Sequence, residues 1–231
     1  TSGYGTPELL RHLMATEKPD AILHYTDPRF WEWLYRMEHE IRMEIPIFYY
    51  NIWDDLPYPM WNEPFYESCD LIMNISKQTV NIVDNVRKIV PTNEKNNTYV
   101  PHGINEKNFY PVDKNHKEWG DLLQFRRIVT DGRDYDFIVF WNNRNIRRKL
   151  PGDVILAFKT FCDMLPKDKS KRCVLIMHTQ PKDPNGTDLT EVVRNVCPDH
   201  DVIFSHKKLS DKQLCYLYNM ADVTINMASN E

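Results

Sequence analysis

Phe137-Ile138-Val139-Phe140-Trp141-Asn142-Asn143-Arg144-Asn145-Ile146-Arg147-Arg148-Lys149-Leu150-Pro151 is the stretch that decides the fold. It opens on a short apolar strand, 137–140, and ends where a helical segment, 151–165, begins. Four cations occupy the six positions 144–149, directly before a helix N-terminus. The aligned peptide dipoles of a helix already place about half a positive charge at that end. Positive side chains therefore fit there when an anion occupies the site, held by free backbone N–H groups and by the cations. A phosphorylated ligand satisfies that requirement. A solvated basic turn is the other reading of the same cluster.

Outward from this stretch, helices and strands alternate. Downstream follow a strand at 173–177, a helix at 188–196, a strand at 202–204, a helix at 210–220 and a strand at 223–226. Upstream the expected elements are a helix at 7–15, a strand at 20–24 and a helix at 28–44. Trp31, Leu34 and Ile41 would share one face of that last helix. Strands at 46–50 and 71–75 and a helix at 77–88 complete the first series. Residues 102–134 are polar and show no clear periodicity. Short, continuously apolar strands separated by helices signify parallel sheets covered on both faces. Two such series predict an α/β protein of two Rossmann-like parallel-sheet domains. Their expected bounds are 1–103 and 135–231, with 104–134 as the connection. The first series opens on a helix instead of a strand and glycine loop, and the second stops just after a strand. The sequence is therefore expected to be an internal piece of a longer protein, with both domains incomplete.

Composition narrows the function classes. Hydrophobic residues make up 42% and charged residues 27% of the 231, as in ordinary globular domains. A net charge of −4 argues against general nucleic-acid binding. The apolar runs are strand-sized and no signal peptide appears, so the expected location is cytoplasmic. Five widely spaced cysteines, Cys69, Cys162, Cys173, Cys197 and Cys215, read as reduced core thiols. Asn-x-Ser/Thr sequons at Asn74, Asn96 and Asn185 carry little meaning without a secretion signal. His178, His206 and Asp183 lack metal-ligand spacing, so no metal is expected.

Several segments in sequence order resemble the family-4 retaining glycosyltransferases of the GT-B fold. Arg144, four residues, Lys149 and then Ile155-Leu156-Ala157-Phe158 are similar to that family's G-R-x-x-x-x-K-G…A-F segment. Asn143 and Leu150 stand where the family has glycines. Val100-Pro101-His102-Gly103-Ile104-Asn105, with Phe109 and Pro111, resembles its I-P-x-G-[VI]-[DN]-x-x-x-F-x-P stretch. Asp201-Val202-Ile203-Phe204, Leu209-Ser210, Leu214, Leu217-Tyr218 and Ala221-Asp222-Val223 look like its N-V-x-F-x-G…L…Y…A-D-V run. Ser229-Asn230-Glu231 matches the start of S-x-x-E-G-F-G. The resemblance covers residues 98–231 by motif and 19–90 by fold pattern alone.

The resemblance implies two domains facing across a cleft and a hexosyltransferase that uses a nucleotide-sugar, UDP- or GDP-linked, with retention and without a metal. No further cofactor is implied. It implies that Arg144 and Lys149 hold the donor diphosphate and that Glu231 approaches the sugar hydroxyls as a catalytic group. The acceptor is a sugar, a lipid-linked group or a protein. The whole protein is compatible with peripheral membrane association, and the piece alone with inactivity. Fixed cations stabilise the charge that grows on a leaving diphosphate, and an arginine fork suits phosphate better than a point charge does. Arg148, like Arg147, is a further phosphate contact or a solvated side chain.

His24 ends a strand, the edge at which ligands bind in parallel sheets. The family often has a sugar-contacting histidine in this neighbourhood, and a core or capping histidine is the other reading. His102 and Gly103 are placed for ligand contact or for hinge packing. Asp27 is expected to cap the following helix. Tyr49, Tyr50, Trp53, Tyr58, Trp61 and Phe65 suit either acceptor stacking or packing. A nucleotide- or phospho-ligand-binding module without catalysis is the alternative function.

Overall fold

The computed structural model describes residues 3–88 and 96–229. It divides into two compact units, Thr1–Gly103 and Ile104–Glu231. Each is built on a four-stranded, wholly parallel sheet. Among the described residues, no helix is long and apolar enough to cross a membrane.

In the first unit the strands are β1 (Ile22–Tyr25), β2 (Ile47–Asn51), β3 (Leu71–Asn74) and β4 (Asn97–Tyr99), paired in that order. Alternate residues of β2, Ile47, Tyr49 and Asn51, are buried. Ile47 and Tyr49 share one core with the helix Lys77–Arg87, which Ser76 caps by accepting from the Thr79 N–H at 3.0 Å. Its inner face is Thr79, Ile82, Val83 and Val86, the i, i+3, i+4, i+7 pattern of a core-facing stripe. Ile82, Val83 and Val86 are fully buried, and each such side chain stabilises the fold by about 1.5–3 kcal/mol.

The helix expected over 28–44 is broken into a 3-10 turn Pro28–Trp31 and two short helices, Glu32–Tyr35 and Glu38–Arg42. Four aromatics lie within residues 30–35, and such side chains lose rotamer freedom against the preceding helical turn. The chain tightens where the Met37 N–H reaches the Leu34 carbonyl, which still brings Leu34, Tyr35, Met37 and Ile41 into the core. Asp27 caps the 3-10 turn as expected, accepting from the Arg29 N–H at 3.0 Å.

His24 packs into this core, as the core reading of that histidine expects. Its ring is 3% exposed, stacks on Tyr49 at 4.8 Å between centroids, and bonds Tyr35 Oη through Nδ1 at 2.6 Å. Tyr49 is also its register partner on β2. Burial pulls the imidazole down to about 4, against the smaller opposing pull of Asp27.

In the second unit the strands are β5 (Phe137–Asn142), β6 (Cys173–His178), β7 (Asp201–Ser205) and β8 (Val223–Thr224), in the order β7-β6-β5-β8. β5 and β6 are buried along most of their length, and side-chain alternation sends their residues into two separate cores. Val139, Trp141, Leu175 and Met177 pack against Val154, Ile155 and Phe158 of the helix Pro151–Asp163. Ile138, Phe140, Val174 and Ile176 meet Leu217 and Met220 of the helix Asp211–Met220. Phe125 and Val129 join them from a helix Trp119–Val129. That helix lies inside the stretch expected as an irregular connection. β8 is shorter than expected, ending at Thr224. All five cysteines are buried free thiols.

Leu150 begins the helix Pro151–Asp163 in the left-handed region, φ 48° and ψ 46°. Leu150→Gly is expected to be about 1 kcal/mol more stable than Leu150→Ala, because glycine alone escapes the left-handed Cβ penalty. Thermal melts of the two variants check this. The usual helix order, alanine above glycine, would refute the strained cap.

His24 generates a pH dependence. A neutral ring favoured by the fold contributes stability that is present above about pH 6.5, where the unfolded ring is also neutral. That stability is lost as pH falls from 6.5 toward 4. The native chain should lose roughly 2–3 kcal/mol between pH 7.5 and 4.5 that His24→Phe does not lose. Urea denaturation at both pH values measures it, and identical losses in the two proteins would contradict the buried neutral ring.

Candidate functional site

In the second sheet the strand order reverses between β5 and β8, since β6 and β7 lie on one side of β5 and β8 on the other. Open parallel sheets bind ligands at such a switch point, outside the carboxyl ends of the strands. The chain leaving β5 carries Asn143 to Leu150, and the chain leaving β8 returns to it. The Ser229 N–H donates to the Arg148 carbonyl at 2.9 Å, and the Ser229 hydroxyl to the same oxygen at 3.3 Å. The Arg144–Lys149 loop and the Ser229 segment are therefore joined at the switch point. Asn230 and Glu231 lie outside the described residues.

The four cations have different fates. Lys149 is 5% exposed, in a 3-10 turn Arg147–Lys149 that abuts the helix Pro151–Asp163. Arg147 and Arg148 are exposed. Arg144 presents its guanidinium edge-on to Asp183, Nε to Oδ2 at 2.8 Å and Nη2 to Oδ1 at 3.2 Å. The carboxylate beside it raises the Arg144 guanidinium, and the guanidinium together with the Asn185 N–H holds Asp183 below the usual carboxylate range. A merely solvated turn does not describe a loop that buries Lys149 and pairs Arg144.

The helix that follows receives no side-chain cap from Leu150, and Pro151 fills the first position, where a missing N–H costs nothing. Its first-turn donors and dipole suit an anion.

Behind Arg144 lies a hollow of about 340 Å³ at the carboxyl ends of three strands, with Asn142, His178 and Ser205 from β5, β6 and β7 on its wall. His178 Nδ1 and Ser205 Oγ are 3.0 Å apart, and burial lowers the His178 imidazole. Thr179 is 8% exposed, and its hydroxyl has no hydrogen-bond partner among the described residues. Lys207 and Lys208 line the same hollow. A larger hollow, of about 870 Å³, lies beside the amino end of β5 among Arg126, Thr130 and Arg133, away from the switch point.

Two residues that the sequence reading passed over fix this geometry. Asn145 is completely buried, and its side-chain N–H groups reach the carbonyls of Gln180, Pro181 and Thr187 at 3.3, 3.2 and 2.7 Å. Gly186 comes so near that a Cβ there would lie 2.1 Å from the Asn145 carbonyl oxygen. Only the polar, glycine-containing stretch 183–187 hinted at a tight loop; the close approach itself is non-local.

The candidates of the first unit are placed separately. His24 is in the core, as described. His102 is exposed, with Nδ1 3.3 Å from Tyr50 Oη, and Gly103 has open space around it. Tyr49 is buried and Phe65 packs against the core, whereas Trp61 is 54% exposed beside Trp53.

No family model and no curated protein matches the sequence. Solved structures do match. A glycosyltransferase from Rickettsia africae ESF-5 aligns with 96% of this chain and 54% of its own, at TM-score 0.68 and 15% identity. An E. coli trehalose-6-phosphate protein bound with UDP-2-fluoro glucose aligns with 95% and 55%, at 0.60 and 14%. A putative UDP-N-acetylglucosamine 2-epimerase from Listeria monocytogenes aligns with 94% and 54%, at 0.54 and 13%. The chain spans about half the length of these structures. Identities this low establish the fold alone: the chain has the two-sheet α/β fold of the GT-B glycosyltransferases and of an epimerase that shares it.

Proposed function

We propose that the whole protein is a glycosyltransferase that moves a hexose from a nucleotide-sugar to an acceptor, with the second unit holding the donor. The observation that carries this reading is the switch point of the second sheet. There the buried Lys149, Arg144 and an uncapped helix N-terminus converge on one loop. As the bond from sugar to phosphate breaks, negative charge accumulates on the departing nucleoside diphosphate. Lys149 supplies a desolvated point charge, and Arg144 a planar fork of donors. The first-turn N–H groups of the helix Pro151–Asp163 add fixed dipoles. All three are in place before the reaction, so stabilising the leaving group requires no metal in this proposal. Retention of configuration, a UDP or GDP donor, and a sugar, lipid-linked or protein acceptor belong to the same proposal. A UDP-sugar bound in the E. coli structure of this fold supports the donor class. Cytoplasmic location fits such a donor.

Calorimetric titration of uridine and guanosine diphosphates tests the site. Arg144→Ala and Lys149→Ala should each weaken binding of the preferred nucleotide roughly ten- to hundred-fold, because each strands a phosphate charge. Exposed Arg147→Ala should change it less than about three-fold. Lys149→Met, which keeps a stem of similar length in the buried position, separates lost charge from lost packing. Equal affinity in all the variants would reject the diphosphate assignment. Full affinity with no sugar transfer by the whole protein would instead favour a nucleotide-binding module.

A further inference from the structure

Asp183 has no part in the reading above, yet it makes the most specific contact in the site. An arginine carries five N–H donors in a rigid plane. Asp183 engages the Nε–Nη2 edge of Arg144, at 2.8 and 3.2 Å. Three donors remain, and two of them, one on Nη1 and the second on Nη2, lie parallel along the end of the fork. An edge with two parallel donors matches two oxygens of a phosphate.

The two partners differ in exposure. The Arg144 side chain is 61% exposed and that of Asp183 only 10%. A long exposed side chain ordinarily samples many rotamers, and ordering it opposes binding. Asp183 is itself anchored: Oδ1 accepts from the Asn185 N–H at 2.9 Å, and its carbonyl accepts from the Gly186 N–H at 3.0 Å. The loop bearing it is tied by the buried Asn145 to the loop bearing Arg144. The carboxylate is therefore a fixed point, and the arginine is the part that it orders.

We propose that Asp183 is a positioning residue: it holds Arg144 by its Nε–Nη2 edge so that the adjoining Nη1–Nη2 edge is presented to the diphosphate of the nucleotide. This inference rests on the diphosphate reading of the site. It gives Asp183 a role that opposes simple electrostatics, because a lone carboxylate near a diphosphate repels it. Holding the fork outweighs that repulsion here, since the Asp183 charge is already matched by the guanidinium.

A double-mutant cycle decides between holding and repelling. Uridine and guanosine diphosphates are titrated calorimetrically into the native chain, Arg144→Ala, Asp183→Ala and the double variant. Asp183→Ala should weaken binding about ten-fold in the native background and less than two-fold when Arg144 is already alanine. Asp183→Asn, which keeps an acceptor for the Asn185 N–H, should show the same dependence on Arg144. Asp183→Glu should recover part of the loss. Equal losses in both backgrounds would mean that Asp183 merely maintains its loop, and tighter binding on its removal would mean that it competes with phosphate. Either result overturns the proposal while leaving the diphosphate site standing. A native affinity unchanged by Arg144→Ala would remove the site and the proposal together.

Discussion

The buried side chain of Asn145 binds together the two loops on which the second unit's carboxyl edge depends. One loop leaves β5 with the cations, and the other leaves β6 with Asp183. The Asn145 amide spans them, giving hydrogen bonds to Gln180, Pro181 and Thr187 carbonyls and accepting from the Thr187 N–H at 3.3 Å. Stranding buried carbonyls costs about 1–3 kcal/mol apiece, so the loops behave as one unit. Gly186 permits this by omitting a Cβ exactly where the Asn145 backbone passes. Arg144, one residue before Asn145, inherits its position from that clasp and meets Asp183 edge-on.

Around this clasp the electrostatics are consistent. A helix begins without a side-chain cap, behind a leucine held in the left-handed region, and a lysine is buried in the turn before it. The left-handed backbone at Leu150 costs stability in its own right. On the proposed function, a diphosphate at the helix start accepts from its first-turn N–H groups.

Most of the second unit was legible in the sequence, because its strands are buried on both faces and read as unbroken apolar runs. The runs 137–140 and 173–177 are strand-sized, and their length and flanks separate them from helices. The cap at Asp27 followed from local chemistry in the same way. The helix Trp119–Val129 was missed although Leu122, Phe125 and Val129 stand at i, i+3 and i+7, since polar flanks diluted the pattern. His24 shows a different limit. Its strand end was recognised, but strand parity decides which face a side chain takes, and parity turned it onto Tyr49. Asn145 and Asp183 stayed hidden because their partners lie 35–42 and 39 residues away.

Mapping backbone amide shifts while uridine or guanosine diphosphate is titrated into the isotopically labelled chain tests the central claim most directly. The account predicts that the largest shifts fall on residues 143–152, on 225–229 where the chain leaving β8 meets Arg148, and on Asp183. Shifts centred instead on the larger hollow around Arg126, Thr130 and Arg133, or none at saturating nucleotide, would contradict it.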